Sequence, residues 1–265
     1  MFINVVGTSK VSLVMCKVLA KKDFSIGYVI SRSRERASAF VRKIGQGNPI
    51  SYDEDFLLRD IVFISVPDSV ISSVYSNLKE KLSADVNIYH FSGFLSSDIF
   101  EDADERGWGR GSIHPNLSFA DEKIAFKLIE KCCFGIEGNE KGLDLARKIV
   151  QQISNYWVEI TPQAKVAYHL AAVLASNFNV GLAYLAKKLY DLYGINGFEK
   201  IIPSLMMSTS KNISTLGVES SLTGPVARGD WDVVENEGKL FENCFPKYKD
   251  LYMLMIEVLK EIKER

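Results

Sequence analysis

The chain has 265 residues, 47% of them apolar and 25% charged, with a formal net charge of −1. That length holds one large domain or two smaller ones, and the composition is that of a soluble globular protein. Near-neutral charge gives no basis for nucleic acid or an anionic membrane as partner. Cys16, Cys132, Cys133 and Cys244 have neither metal nor disulfide spacing, so no metal site is expected. Free thiols, with no basic export signal in MFINVVG, point to the cytoplasm.

Residues 2–6 (FINVV) are an apolar run ending at Gly7, and Val11, Val14, Met15, Val18 and Leu19 follow at helical spacing. Strand, glycine turn and helix in that order open a dinucleotide-binding βαβ unit. The fingerprint Gly7-Thr8-Ser9-Lys10-Val11-Ser12 keeps only its first glycine. Ser9 and Ser12 replace the other two, and both are small, so a phosphate site over Gly7, Thr8, Ser9, Lys10 and Val11 survives. The alternative is an ordinary strand-to-helix turn.

Residues 25–30 form the next strand, ending in Ser31-Arg32-Ser33-Arg34. An NAD site would place a carboxylate there for the ribose 2′-hydroxyl. Two hydroxyls and two guanidiniums suit a 2′-phosphate instead, which makes NADP the expected cofactor. The alternative, a solvated basic helix start, is disfavoured by the helix dipole.

Residues 61–66 read as a strand ending at Val66-Pro67-Asp68, with Asp68 or Ser69 capping the next helix. Residues 86–91 are a strand before Ser92-Gly93, and Ser96-Ser97-Asp98 starts a short helix. The repeated order predicts a parallel sheet with ligands beyond the carboxyl ends of its strands, where Gly7, Ser31, Pro67, Ser92 and Gly93 lie. Residues 101–111 read as a charged surface loop. His114, in Ser112-Ile113-His114-Pro115-Asn116, is held extended before a proline, as a contact to cofactor or substrate or as a structural histidine. Strands at 132–136 and 156–160 flank a helix at 141–153, and Thr161-Pro162 closes a first domain.

Between Lys165 and Lys187 there is no charged residue, which predicts one long buried helix. Lys165, His169, Val173 and Ser176 form one stripe on it, with Asn177 alongside. Two plain alternatives are a membrane span, interrupted here by polar side chains, and a core helix whose His and Asn bond to neighbouring backbone. No strand pattern follows residue 160. Pro203 marks a helix start or kink, 222–230 (LTGPVARGD) is a shaped loop with Asp230 as candidate N-cap, and 248–263 is an amphipathic helix.

The fold class is therefore α/β: a Rossmann doubly wound parallel sheet (1–160), then an all-α substrate-binding and dimerisation domain (161–265). This arrangement resembles the superfamily of ketopantoate reductase, pyrroline-carboxylate reductase and 6-phosphogluconate dehydrogenase. Ser92-Gly93, Ser112-Ile-His-Pro, Ala175-Ser176-Asn177 and residues 222–230 are similar to a bacterial family of Rossmann-like proteins, some regarded as alternative ketopantoate reductases. The resemblance implies NADPH-dependent reduction of a small carbonyl compound, a 2-keto acid such as 2-dehydropantoate. It places His169, or Lys165 one turn earlier, as proton donor. Asn177 then holds the oxygen, Arg228 the substrate carboxylate, and Thr223 a secondary contact. A non-catalytic NADP-binding sensor and an imine reductase are the alternatives. The expected partners are a small-molecule substrate and a second copy through the C-terminal helices, with no nucleic acid or membrane.

Overall fold

The computed structural model describes residues 1–264 and divides into two compact units, Met1–Asn177 and Phe178–Arg265. The division falls inside the charge-free helix. In the first unit an eight-stranded sheet has the order β3-β2-β1-β4-β5-β6-β7-β8. Its strands are β1 (Phe2–Val6), β2 (Ser25–Ser31), β3 (Asn48–Ser51), β4 (Leu58–Ile64), β5 (Leu82–His90), β6 (Gly109–Pro115), β7 (Phe134–Gly138) and β8 (Trp157–Glu159). The first six strands have the doubly wound Rossmann order. All neighbours pair in parallel except β6 and β7, which run antiparallel.

Period-two alternation builds the two cores of this unit. Ile3 and Val5 of β1, Ile61 and Phe63 of β4, and Tyr89 of β5 face one cluster. Val6, Val62, Ile64, Val86 and Ile88 face the other. Buried on both sides, such strands read as unbroken apolar runs, which is why they stand out in the sequence.

The helices of this unit are α1 (Lys10–Leu19), α2 (Arg34–Ile44), α3 (Ile71–Leu78), α4 (Glu122–Leu128), α5 (Glu140–Gln151) and α6 (Lys165–Ala172). Side-chain caps fix four of their starts: Ser9, Ser33, Asp121 and Asn139 each accept a first-turn backbone N–H. Gly7 has φ +97°, and a Cβ there would overlap the Ser65 carbonyl, so this turn admits no side chain.

Several expectations are corrected. β3 and α4 have no counterpart in the sequence reading; β3 is only four residues long. β4 ends at Ile64, leaving Ser65-Val66-Pro67 as loop, and Asp68 opens a 3₁₀ turn without capping it by its side chain. Residues 101–111 are not a solvated loop: Ala103 and Trp108 are buried, and the strand β6 begins at Gly109. Their charges sit in ion pairs on the rim, such as Arg110 with Asp98 and Asp104.

The charge-free segment is helical from Pro162 to Leu192, but neither uniform nor buried. After α6 comes a π-helical stretch, Val173–Asn177, and then α7 (Phe178–Leu192). The π turn changes the angle per residue, so the stripe through Lys165 and His169 does not extend regularly to Asn177. In length and composition this helix is sufficient to cross a membrane, and its apolar window has no buried residue. The expected burial is therefore absent within a single chain.

The second unit is helical: α7, α8 (Phe198–Leu216), α9 (Pro225–Arg228), α10 (Trp231–Cys244) and α11 (Leu251–Lys263). Pro203 lies inside α8, neither starting nor ending it. The core of this unit is small: Val226, Val234 and Ile256, with Tyr252 and Leu259 against them. No residue of α7 or α8 is buried.

Candidate active site

Beyond the carboxyl ends of β1, β2 and β4 lies a cleft of about 700 Å³. Gly7, Thr8, Ser9, Ser31, Arg32, Val66 and Pro67 line it, together with Arg36, Tyr52, Phe56, Asn77 and Lys81, which the sequence reading did not select. Three cations and no carboxylate line this cleft. Ser9 caps α1, and its hydroxyl also bonds the Ser65 hydroxyl at 2.6 Å, fixing the turn against β4. The N-terminus of α1 thus sits at the glycine turn, where the positive end of its dipole favours an anion.

The basic run after β2 is split by α2. Arg32 lines the cleft, whereas Ser33 caps the helix by accepting the Arg36 backbone N–H. Arg34 is turned to Glu54, at 2.8 Å. That pair accounts for a cation at a helix start without any phosphate, whereas Arg36 lines the cleft. Lys81 donates to the carbonyls of Tyr52 and Glu54 and lies 4.2 Å over the Phe56 ring, tying down the loop that carries both aromatics. Lys10 reaches the Ala120 carbonyl, and Val11 packs on the core, so neither is a lining residue.

At the ends of β5 and β6 a second set of groups converges. His90 is buried and neutral: its Nδ1 accepts from the Ser92 N–H at 3.1 Å, and its Nε2 faces the Ser96 carbonyl at 3.2 Å. Burial, with Lys165 nearby, pushes its pKa down to about 3. The Ser92 hydroxyl donates to Asp68 at 2.6 Å and accepts from the Phe94 and Leu95 N–H groups. Asp68 therefore braces the Ser92-Gly93 turn.

Helix α6 lies over one face of β6 and β7. Alternation puts Ser112, His114 and Asn116 in a row on that face, while spacings of three and four put Lys165, Tyr168 and His169 on one side of the helix. The two rows interlock. The Lys165 ammonium, 1% exposed, donates to the Ser92 carbonyl at 2.8 Å and the Ser112 hydroxyl at 2.9 Å. Behind Ser112 stands Glu137, also buried, which accepts from the Ser112 hydroxyl and from the N–H and hydroxyl of Ser97. Desolvation lowers the Lys165 pKa to about 8, with Glu137 and then Asp68 opposing the shift.

One turn on, the Tyr168 hydroxyl meets His114 Nδ1 at 3.1 Å and the Asn116 amide. It reaches them over Gly135, where a Cβ would overlap the phenol oxygen. His169 is half-buried; its ring lies 6.1 Å from Phe94 and 6.3 Å from His114, centroid to centroid. A Cβ on Gly93 would stand 2.8 Å from His114 Nε2 and 2.9 Å from His169 Cδ2, so only glycine lets this strand end approach both imidazoles. Lys165, His169, His114, Ser92 and Gly93 are thus brought together. Asn177 is exposed on the π turn. Thr223 and Arg228 belong to the second unit, where Arg228 Nε donates to Asp230 at 2.7 Å. Asp230 precedes α10 without a side-chain cap bond, so its capping role is not realised.

Tyr168, Asn116, Ser112 and Glu137 were missed in the sequence. The row at 112, 114 and 116 was a usable signal; Glu137 had none, because only strand pairing places it opposite Ser112.

Comparison with solved structures matches the fold of this chain to known proteins. Protein TM1727 from Thermotoga maritima is 41% identical, with 99% of this chain and 98% of that chain covered and a TM-score of 0.81. The chain belongs to the TM1727 family. Protein BF3122 from Bacteroides fragilis shares the fold at 22% identity and a TM-score of 0.80, covering 98% of each chain. So does the imine reductase from Myxococcus stipitatus, solved with NADP+, at 13% identity, a TM-score of 0.68 and coverage of 98% of this chain and 93% of that one. The sequence profile of a domain of unknown function, DUF2520, matches residues 132–258. No curated protein matches the sequence.

The Lys165 pKa gives a pH test of its burial. A lysine at about 8 in the native state and near 10.5 when unfolded holds fewer protons folded than unfolded between those values. Native stability therefore rises with pH across that window and has no Lys165 dependence below it. In urea unfolding, the stability of wild type relative to Lys165→Met should increase from pH 8 to pH 10.5. A difference that stays flat across the window would show that the ammonium is not desolvated.

Proposed function

We propose that the chain is an NADPH-dependent oxidoreductase that reduces a small carbonyl compound, with a 2-keto acid as the substrate class. The observation that carries this reading is the cleft at the glycine turn, with Arg32, Arg36 and Lys81 on its walls and no carboxylate. That donor set fits NADP: the α1 N-terminus suits the pyrophosphate, and Arg32 and Arg36 suit the 2′-phosphate. An acidic residue, which would select the unphosphorylated ribose, is missing from the lining. The NADP+ complex of the Myxococcus stipitatus imine reductase, on the same fold, supports the choice.

When bound, the cofactor supplies the hydride. The chain's own task is to orient the carbonyl and deliver a proton to its oxygen. Lys165 points inward, with the Ser92 carbonyl and Ser112 hydroxyl as its partners, and serves to position the turn. His169, half-buried beside Gly93, is then the proton donor. The resemblance to ketopantoate reductases makes 2-dehydropantoate the first keto acid to try; the imine reductase fold makes cyclic imines the second class.

We further infer that a second copy of the chain covers α7 and α8. Val180, Leu182, Leu205 and Met207 are all exposed in the single chain. Apolar patches of that extent mark an interface, and the polar His169, Ser176 and Asn177 within the segment weigh against lipid as the cover.

Purified protein should oxidise NADPH with one or more members of a panel of small keto acids and cyclic imines. Arg36→Ala should weaken NADPH binding about 10- to 100-fold, the loss of charge-assisted hydrogen bonds worth about 1.5–3 kcal/mol, and leave NADH binding unchanged. Binding without turnover on any panel member would favour a non-catalytic sensor, and a preference for NADH would remove the cofactor assignment. Light scattering after size exclusion should give twice the chain mass, and Val180→Asp should lower it. A monomeric wild type would contradict the interface.

A further inference from the structure

The environment of the Tyr168 hydroxyl fixes more than the position of its ring. A phenol oxygen carries one proton to donate and two lone pairs to accept with. The Asn116 amide nitrogen donates to this oxygen and so occupies one of its lone pairs. The half-buried hydroxyl proton still needs an acceptor, and the partner the geometry offers it is His114 Nδ1 at 3.1 Å. An imidazole nitrogen that accepts is unprotonated. A neutral ring then carries its proton on the other nitrogen.

That other nitrogen is Nε2, the atom that approaches Gly93 at the end of β5. The ring is kept neutral from several sides. His114 is mostly buried, and desolvation, then Lys165 and then His169 on α6, hold its pKa down to about 4. His90 on β5, itself neutral, is the remaining titratable neighbour.

We propose that Tyr168 and Asn116 lock His114 as a neutral imidazole with its proton on Nε2, making that N–H a fixed hydrogen-bond donor for a carbonyl oxygen at Gly93. This deepens the reductase reading above and rests on it for the identity of the ligand, but not for the state of the ring. Tyr168 and Asn116 are positioning residues: they act on the reaction only through His114. The arrangement separates two roles at one strand end. His169 exchanges a proton, whereas His114 polarises the carbonyl without giving its proton up, because loss of that proton would leave an imidazolate. A donor aimed before the reaction begins costs no reorganisation during it. The carbonyl has two sources, the nicotinamide carboxamide and the substrate.

Long-range ¹⁵N NMR of the full-length labelled protein reads the tautomer directly and needs no turnover. The three histidines are assigned with His114→Asn and His169→Asn. Wild type should show His114 with its proton on Nε2 alone, unchanged from pH 6 to pH 8. Tyr168→Phe should abolish that preference, while His90, whose ring is fixed by Ser92 and Ser96, keeps its spectrum and reports an intact sheet. A proton on His114 Nδ1 in wild type overturns the proposal, as does an unaltered ring in Tyr168→Phe. Should that variant fail to fold, the wild-type spectrum decides alone. Added NADP+ moves the Nε2–H resonance if the carboxamide is the acceptor, and pyruvate added after NADP+ moves it if the substrate is. No movement in either arm overturns the donor role. Failure of NADP+ to bind, with the tautomer as stated, refutes the cofactor reading instead.

Discussion

A buried ammonium holds the β5–β6 end of this unit together. Removing an unpaired cation from water costs several kcal/mol even after relaxation. Each hydrogen bond from it returns about 1.5–3 kcal/mol. Lys165 has two such bonds, to Ser92 and Ser112, and a carboxylate, Glu137, one hydroxyl further on. Desolvation still dominates, as the lowered pKa records. The group therefore stays in place only while α6, β5, β6 and β7 keep their registers. Tyr168 and Gly135 enforce the same registers one turn further along.

The two sets of groups at the strand ends have different physical designs. The end at β1 and β2 is cationic and open, built from a helix N-terminus and long side chains that a phosphate can order. The end at β5 and β6 is neutralised and rigid. His90 is held by Ser92 and Ser96, and glycines at 93 and 135 allow the close approaches. Tight positioning matters where bonds change, whereas charge suffices where a ligand is only anchored.

The alternation of strands and helices was legible because a sheet covered on both faces leaves unbroken apolar runs at regular intervals. The Gly7 turn, Arg32 and the Ser92-Gly93 end could be placed from that alternation alone. Arg34 and Arg36 could not be told apart without the cap at Ser33, which sets how the first turn of α2 faces. Ser112, His114 and Asn116 carried a period-two signal, and Lys165, Tyr168 and His169 a helical one. Their interlocking was hidden, because it depends on the antiparallel β6–β7 pair, whose partners are far apart in sequence. The helix after Pro162 was legible as apolar but not as exposed, since composition says nothing about what provides the cover. Its π turn had no local signature either.

We propose that one dinucleotide lies along the strand ends of the first unit, with its reactive end against the groups that α6 pins. A crystal structure of the protein with NADP+ tests it most directly. The 2′-phosphate should lie within hydrogen-bond reach of Arg32 and Arg36, and the nicotinamide against Gly93 between His114 and His169. A dinucleotide seated elsewhere, or a crevice left empty at saturating NADP+, would contradict it.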